Sequence, residues 1–112
     1  MIYNALLKCD KDVLEEVERE LFNYNFYNNF LELTNEYNLN LNDNTKKRIF
    51  TVKTIQKSLN NLPPHIKQFI KLRYMDNLTI EMIAEKMNIS PSACYKYRRQ
   101  SLYIIGIALG KI

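Results

Sequence analysis

Residues 78–102 read LTIEMIAEKMNISPSACYKYRRQSL, and they parse as two short helices joined by a tight turn. Thr79 stands where an N-cap belongs, since its hydroxyl can accept a backbone N–H that a helix start leaves unpaired. Leu78 and Ile83 occupy the two positions of a hydrophobic staple. Ile80, Ile83, Ala84 and Met87 recur at helical spacing. Asn88 then ends the helix, because after Gly it is the residue that best tolerates a left-handed backbone. Ser90 as N-cap and Pro91 at the first helical position restart the chain. Cys94, Tyr97, Ser101, Ile104 and Ala108 are expected to continue one face of the second helix, and small Ala84 marks where the two helices cross closely. This is the grammar of a helix-turn-helix. Its second helix carries Tyr95, Lys96, Arg98 and Arg99 away from the apolar face, as a helix entering a DNA groove should.

Upstream of that stretch, Leu62-Pro63-Pro64 stops one helix, because proline disfavours helical geometry in the residue before it. Pro64 starts another, to about Met75, with Ile66, Phe69, Ile70 and Tyr74 inward; Asp76-Asn77 is the loop that follows. Before the prolines, Thr45 opens a helix to about Asn61, with Ile49, Val52, Ile55 or Gln56, Leu59 and Leu62 as its buried stripe. Lys46, Lys47, Arg48, Lys53 and Lys57 form its solvated face, which is also placed to touch phosphates. Downstream, the last helix runs past Leu102 to Gly110 as C-cap.

Further out lies a long helix from Asp10 or Asp12 to about Tyr37, after an apolar opening, MIYNALLKC. Its acids crowd the first turns, where the helix dipole favours them. Leu14, Val17, Leu21, Tyr24, Asn28 and Leu31 recur at spacings of three and four, and Phe22, Phe26, Tyr27, Phe30 and Leu33 widen the stripe. A lone solvated helix does not tolerate that much apolar surface. It packs either on its own domain or on a partner, with Asn28 as a polar residue inside the seam. NLNLNDN (residues 38–44) is a turn-rich break.

The net charge of +4 conceals a split. Residues 1–44 sum to −6 and residues 45–112 to +10. The expected organisation is therefore all-α: an acidic helical arm over 1–44 for self-association or partner contact, then a basic helix-turn-helix domain over 45–112 suited to a polyanion. No apolar run approaches the roughly 20 residues of a membrane span, and no signal peptide opens the chain. Cys9 and Cys94 match no metal or redox spacing, so both read as reduced thiols in a cytoplasmic protein. The sole histidine, His65, reads as a surface residue. No catalytic constellation, metal-ligand set or phosphate loop is visible, so no enzyme, metal or cofactor is expected.

Double-stranded DNA is the partner with a mechanism. Thr79 and Ser90 begin helices whose N–H groups can face phosphate. Ser92, Ala93, Tyr95 and Lys96 lie early on the second helix, within reach of base edges. Lys96 suits guanine acceptors, Tyr95 and Ser92 suit bases or phosphates, and Ala93 suits a thymine methyl. Arg98 and Arg99, a turn deeper, are expected to neutralise phosphates.

Residues 62–102 resemble region 4 of the sigma-70 family. The resemblance rests on the Leu-Pro lead-in, the LRYMDNLT bridge, Ile-Ala followed by MNIS, and Ser101-Leu102 where the family often has Ala-Leu. It implies a second helix that reads a promoter element through Pro91, Ser92, Tyr95 and Lys96. Sigma factors favour Arg and Glu early in that helix; Pro91, Ser92 and Ala93 stand there here, so the family's base preference does not carry over. The whole chain resembles small phage regulators of the ArpU/RinA type, through LFNYNFYNNFLEL and VKTIQKSLNNLPP. That resemblance implies a late-gene activator acting with host RNA polymerase in a bacterial cell; the apolar stripe of the arm allows a homodimer. Two rival readings are a small terminase subunit, which would form rings, and a helix-turn-helix interaction module that binds no duplex.

Overall fold

A computed structural model describes residues 11–37 and 42–112. The apolar opening, Cys9, Asp10 and residues 38–41 of the expected break lie outside the described residues. Among the described residues five α-helices follow one another: α1 Lys11–Tyr37, α2 Asp43–Leu59, α3 Pro64–Ile70, α4 Ile80–Met87 and α5 Pro91–Ala108. Between α3 and α4 the helix widens into a π-helical turn, Lys71–Met75. There is no strand among the described residues. The all-α expectation holds, and so does the order of helices.

The core is one cluster that draws on every helix. Leu14, Val17, Leu21 and Tyr24 of α1 meet Val52 and Ile55 of α2, Ile66, Phe69 and Ile70 of α3, Ile83 of α4, and Cys94, Leu102 and Ile105 of α5. Of the two alternatives for the long helix, its Leu14–Tyr24 stripe takes the first: it packs on α2, α5 and the π-helical turn of its own chain. Asn28 also finds its partner within the chain, accepting a hydrogen bond from Gln56 Nε2 at 2.8 Å. A half-buried amide pair in a helix seam fixes register, because a slip would leave both groups unpaired.

Three local expectations are corrected. First, α2 starts earlier and ends earlier than the Thr45–Asn61 span. Asn42 is its N-cap and accepts the Thr45 N–H at 2.9 Å, so Thr45 lies inside the first turn. Asn outranks Thr as a cap, and it comes first.

Second, the inner face of α5 is not the Cys94–Tyr97–Ser101–Ile104–Ala108 line throughout. Cys94 and Ser101 are buried, but Ala108 is exposed and Ile104 is half-buried, while Leu102, Tyr103, Ile105 and Gly106 are buried. The C-terminal half of α5 lies against α1 and α2 as well as its neighbours, so burial there is nearly all round and a single stripe no longer describes it.

Third, the Pro64-to-Met75 helix is not α throughout. Asp76 N–H bonds Lys71 O at 2.9 Å, five residues back, and Leu78 N–H bonds Leu72 O at 3.0 Å. Asn25 Nδ2 donates to the Met75 carbonyl at 3.1 Å, satisfying part of the irregular turn from α1. The four inward residues expected of this segment, Ile66, Phe69, Ile70 and Tyr74, are all buried.

The end of α5 is closed by a left-handed Gly110, φ +74°. Lys111 N–H bonds Gly106 O at 2.9 Å and Gly110 N–H bonds Ile107 O at 3.0 Å, the paired bonds of a Schellman motif.

Candidate nucleic-acid interface

The pair α4–α5 is built by the local signals already named. Thr79 Oγ1 accepts the Met82 N–H at 3.2 Å and fixes the start of α4. Asn88 takes the left-handed conformation, φ 56°, ψ 47°. Ile89 N–H then bonds Ala84 O at 3.0 Å, closing the helix as Gly110 closes α5. Ser90 Oγ accepts the Ala93 N–H at 3.1 Å, and Pro91 opens α5. Caps of this kind each contribute about 1 kcal/mol. Together they hold two short helices at a set angle over Ile80, Ile83, Ala84 and Cys94, all buried.

That angle leaves one face of α5 outside. Ser92, Tyr95, Lys96 and Arg99 are exposed, Tyr95 at 48 %. Their spacing of three, four and seven residues places them on one side of the helix. Pro91 is exposed beside them and Ala93 is half-buried. The stripe ends at Tyr103, one turn on, which is buried. Tyr97, expected in the core, is half-buried: it packs against the cluster and its ring lies 5.0 Å from exposed His65.

Arg98 is placed differently. Its Nε and one terminal nitrogen donate to the two carboxylate oxygens of Glu18, each at 2.9 Å. Glu18 Oε2 also accepts the Tyr74 hydroxyl at 2.7 Å. The side chains of Arg98 and Glu18 are 26 % and 16 % exposed. Burial by itself would raise the Glu18 carboxyl; the hydrogen bonds from Arg98 and Tyr74, with the charges of Arg98 and Arg73, outweigh it and hold the carboxyl below the usual range. Burial and the facing Glu18 charge push the Tyr74 phenol far above its ordinary value. The guanidinium of Arg98 therefore binds α5 to α1, on the side of α5 away from the exposed stripe.

Sequence reasoning missed Glu18. Its only sequence signal is a carboxylate flanking Val17 and Leu21 at the edge of a buried stripe, and its partner is eighty residues away. A second acid of α1 works in the same way: Lys111 Nζ donates to Glu16 Oε1 at 2.7 Å. Arg73 also positions the motif, its guanidinium donating to the Leu78 carbonyl at 2.8 Å just ahead of the Thr79 cap.

Among the described residues no group of three or more His, Cys, Asp or Glu can hold a metal ion, and no helix is long and apolar enough to cross a membrane.

Residues 53–103 match the family model of sigma-70, region 4. The match starts inside α2, spans α3, the π-helical turn and α4, and ends late in α5; α1 lies outside it. No curated protein and no solved structure matches the chain. Sigma region 4 is a DNA-binding domain family rather than an enzyme family, and its domains bind DNA and RNA polymerase. The caps, the left-handed Asn88, the outward stripe of α5 and the family match agree: residues 53–103 of this chain form a sigma-70 region 4-like helix-turn-helix.

Proposed function

We propose that the chain is a sequence-specific transcription regulator that sets α5 in the major groove. Ser92, Tyr95 and Lys96 face base edges, Arg99 neutralises a phosphate, and the starts of α4 and α5, at Thr79 and Ser90, lie against the backbone. Pro91 and Ala93 complete the leading turn. Arg98, engaged by Glu18, holds the helix and is removed from the phosphate contacts. The observation that carries this reading is the exposed stripe Ser92–Tyr95–Lys96–Arg99 on a helix whose other side is buried. The charge of +10 over residues 45–112 supports a polyanion partner. The resemblance to ArpU/RinA-type regulators supports control of phage or prophage genes together with host RNA polymerase, in the cytoplasm of a bacterial cell. In this reading residues 1–44 add self-association.

The test is a selection from random duplexes at moderate salt, with Lys96→Ala and Arg99→Ala beside the parent. A defined motif is expected, loosened at one position by Lys96→Ala, while Arg99→Ala weakens all sites alike and lowers the salt slope by about one. Tight binding with no enriched motif would favour packaging or architectural binding, and no binding would remove the DNA reading.

A further inference from the structure

The face of α1 opposite the core is apolar and belongs to no part of the family match. Phe26 is 67 % exposed, Leu33 44 %, Phe22 39 % and Phe30 36 %. At 100° per residue these four fall within about a quarter of the helix circumference, turned away from Val17, Leu21 and Tyr24; Phe22, at the edge of the stripe, also meets the Tyr74 ring at 4.8 Å and the Arg73 guanidinium. Residues 21–31, LFNYNFYNNFL, contain no charged residue, in a chain where 25 % of residues are charged. The exposed flank is Asn23, Asn25 and Asn29.

The geometry points to this stripe as the interface with a second copy of the chain, the two α1 helices running antiparallel about a two-fold axis at Phe26. Three features select that occupant. Phe22 and Phe30 stand four residues either side of Phe26, so the three phenylalanines read the same in both directions, while Leu33 falls opposite exposed Arg19 at the rim. A two-fold axis sets Phe26 against Phe26 and Phe22 against Phe30, the self-complementarity an isologous interface requires. No charged residue interrupts the helix between Phe22 and Phe30, so the centre of the stripe lets two copies meet without repulsion, with Arg19 and Arg73 only at the Phe22 end. The antiparallel sense also separates the acidic first turns, Asp12 and Glu15, which a parallel pair would bring together.

The size fits. Taking about 200 Å² for a whole phenylalanine side chain, the exposed fractions give roughly 350 Å² of apolar surface per copy. At an apolar share of about 60 %, that implies about 600 Å² per copy, roughly 1,200 Å² in all, the low end of specific interfaces.

The experiment is sedimentation velocity on the full chain without DNA, from about 1 to 100 µM. A reversible dimer is expected, with Phe26→Glu and Phe30→Gln each weakening it at least tenfold while the helical circular dichroism stays that of the parent. In a Cys9→Ser background, Phe26→Cys should oxidise to a disulfide-linked dimer, whereas Phe50→Cys, equally exposed on α2, should not. A monomer at the highest concentration, an assembly larger than a dimer, or a dimer that Phe26→Glu leaves intact overturns the inference. Because the readout contains no DNA, failure of the DNA reading leaves this result unaffected, and the reverse also holds.

Discussion

Replacing Glu18 with Gln removes the charge that faces Arg98 and leaves the guanidinium, 26 % exposed, without its hydrogen-bonded counter-ion, with only the more distant Glu15 charge remaining. Breaking a buried ion pair by removing one partner costs about 3–5 kcal/mol, and an exposed pair contributes about 0–1 kcal/mol. This pair is bidentate, carries a third bond from Tyr74, and lies nearer the buried limit. A cost of about 2–3 kcal/mol follows from that position between the limits. With an unfolding entropy near 2.1 cal/mol/K per residue, a loss of that size lowers the melting temperature by about 10 °C.

The informative form is a double-mutant cycle of Glu18→Met, Arg98→Met and the pair, followed by thermal and urea unfolding. The double variant should recover most of the loss, because an apolar pair no longer strands a charge, and the coupling should be about 2 kcal/mol. The same proteins answer the question about DNA. If Arg98 only holds α5, the double variant keeps the parent's salt dependence of binding. A coupling within about 0.5 kcal/mol of zero would refute the structural role. A salt slope reduced by about one in the double variant would return Arg98 to the phosphates.

Three further outcomes are expected. Because the folded Glu18 carboxyl titrates below its unfolded range, its contribution is complete above about pH 4.3 and is lost as pH falls toward the folded value. The raised Tyr74 phenol adds an alkaline limb, with stability falling above about pH 10; urea midpoints against pH should show both limbs, and Glu18→Gln should flatten the acid one. At Gly106 an added Cβ would stand 3.2 Å from Val17 Cγ2 and against the movable Ile112 side chain. Gly106→Ala should therefore be near neutral, its helix-propensity gain of about 1 kcal/mol offsetting the crowding, and Gly106→Leu should cost about 2–3 kcal/mol; equal midpoints for the two would contradict the close α1–α5 approach. Burial, then the Glu81 charge, pushes the Cys94 thiol up. In a Cys9→Ser background it should react with a thiol reagent only at the rate of global unfolding, and rapid labelling of the native protein would contradict its placement.

The helix-turn-helix was legible because its signals are local. Thr79, Asn88, Ser90 and Pro91 each act on backbone within five residues, so sequence order and spatial order coincide. The inward sets of α1 and α3 were legible for a related reason: each helix buries one face, and a period of 3.6 marks it. Where burial becomes nearly all round, at residues 101–106, the period carries no information and the Ile104–Ala108 line failed. Charge pairing failed in another way. Arg98 is one of three basic residues within four positions, and nothing in that run distinguishes the one turned toward α1 from those turned outward. The distinction depends on Glu18 and Tyr74, which only the packed fold brings to the same place.

The π-helical turn at Lys71–Met75 acts as a phase shifter. Continued as an α-helix from Ile66 and Ile70, Arg73 and Tyr74 would straddle the core-facing side, Arg73 seven positions after Ile66 and Tyr74 four after Ile70. The wider turn holds one residue more. It swings Tyr74 inward to meet Glu18 and Phe69 and brings Arg73 round to the Leu78 carbonyl and the Phe22 ring. Chain length in this turn therefore sets rotation as well as distance. A one-residue deletion here would leave an intact helix, yet it would turn every element from α4 onward by about 100° relative to α3. The reading helix would then be well formed and aimed at the wrong place.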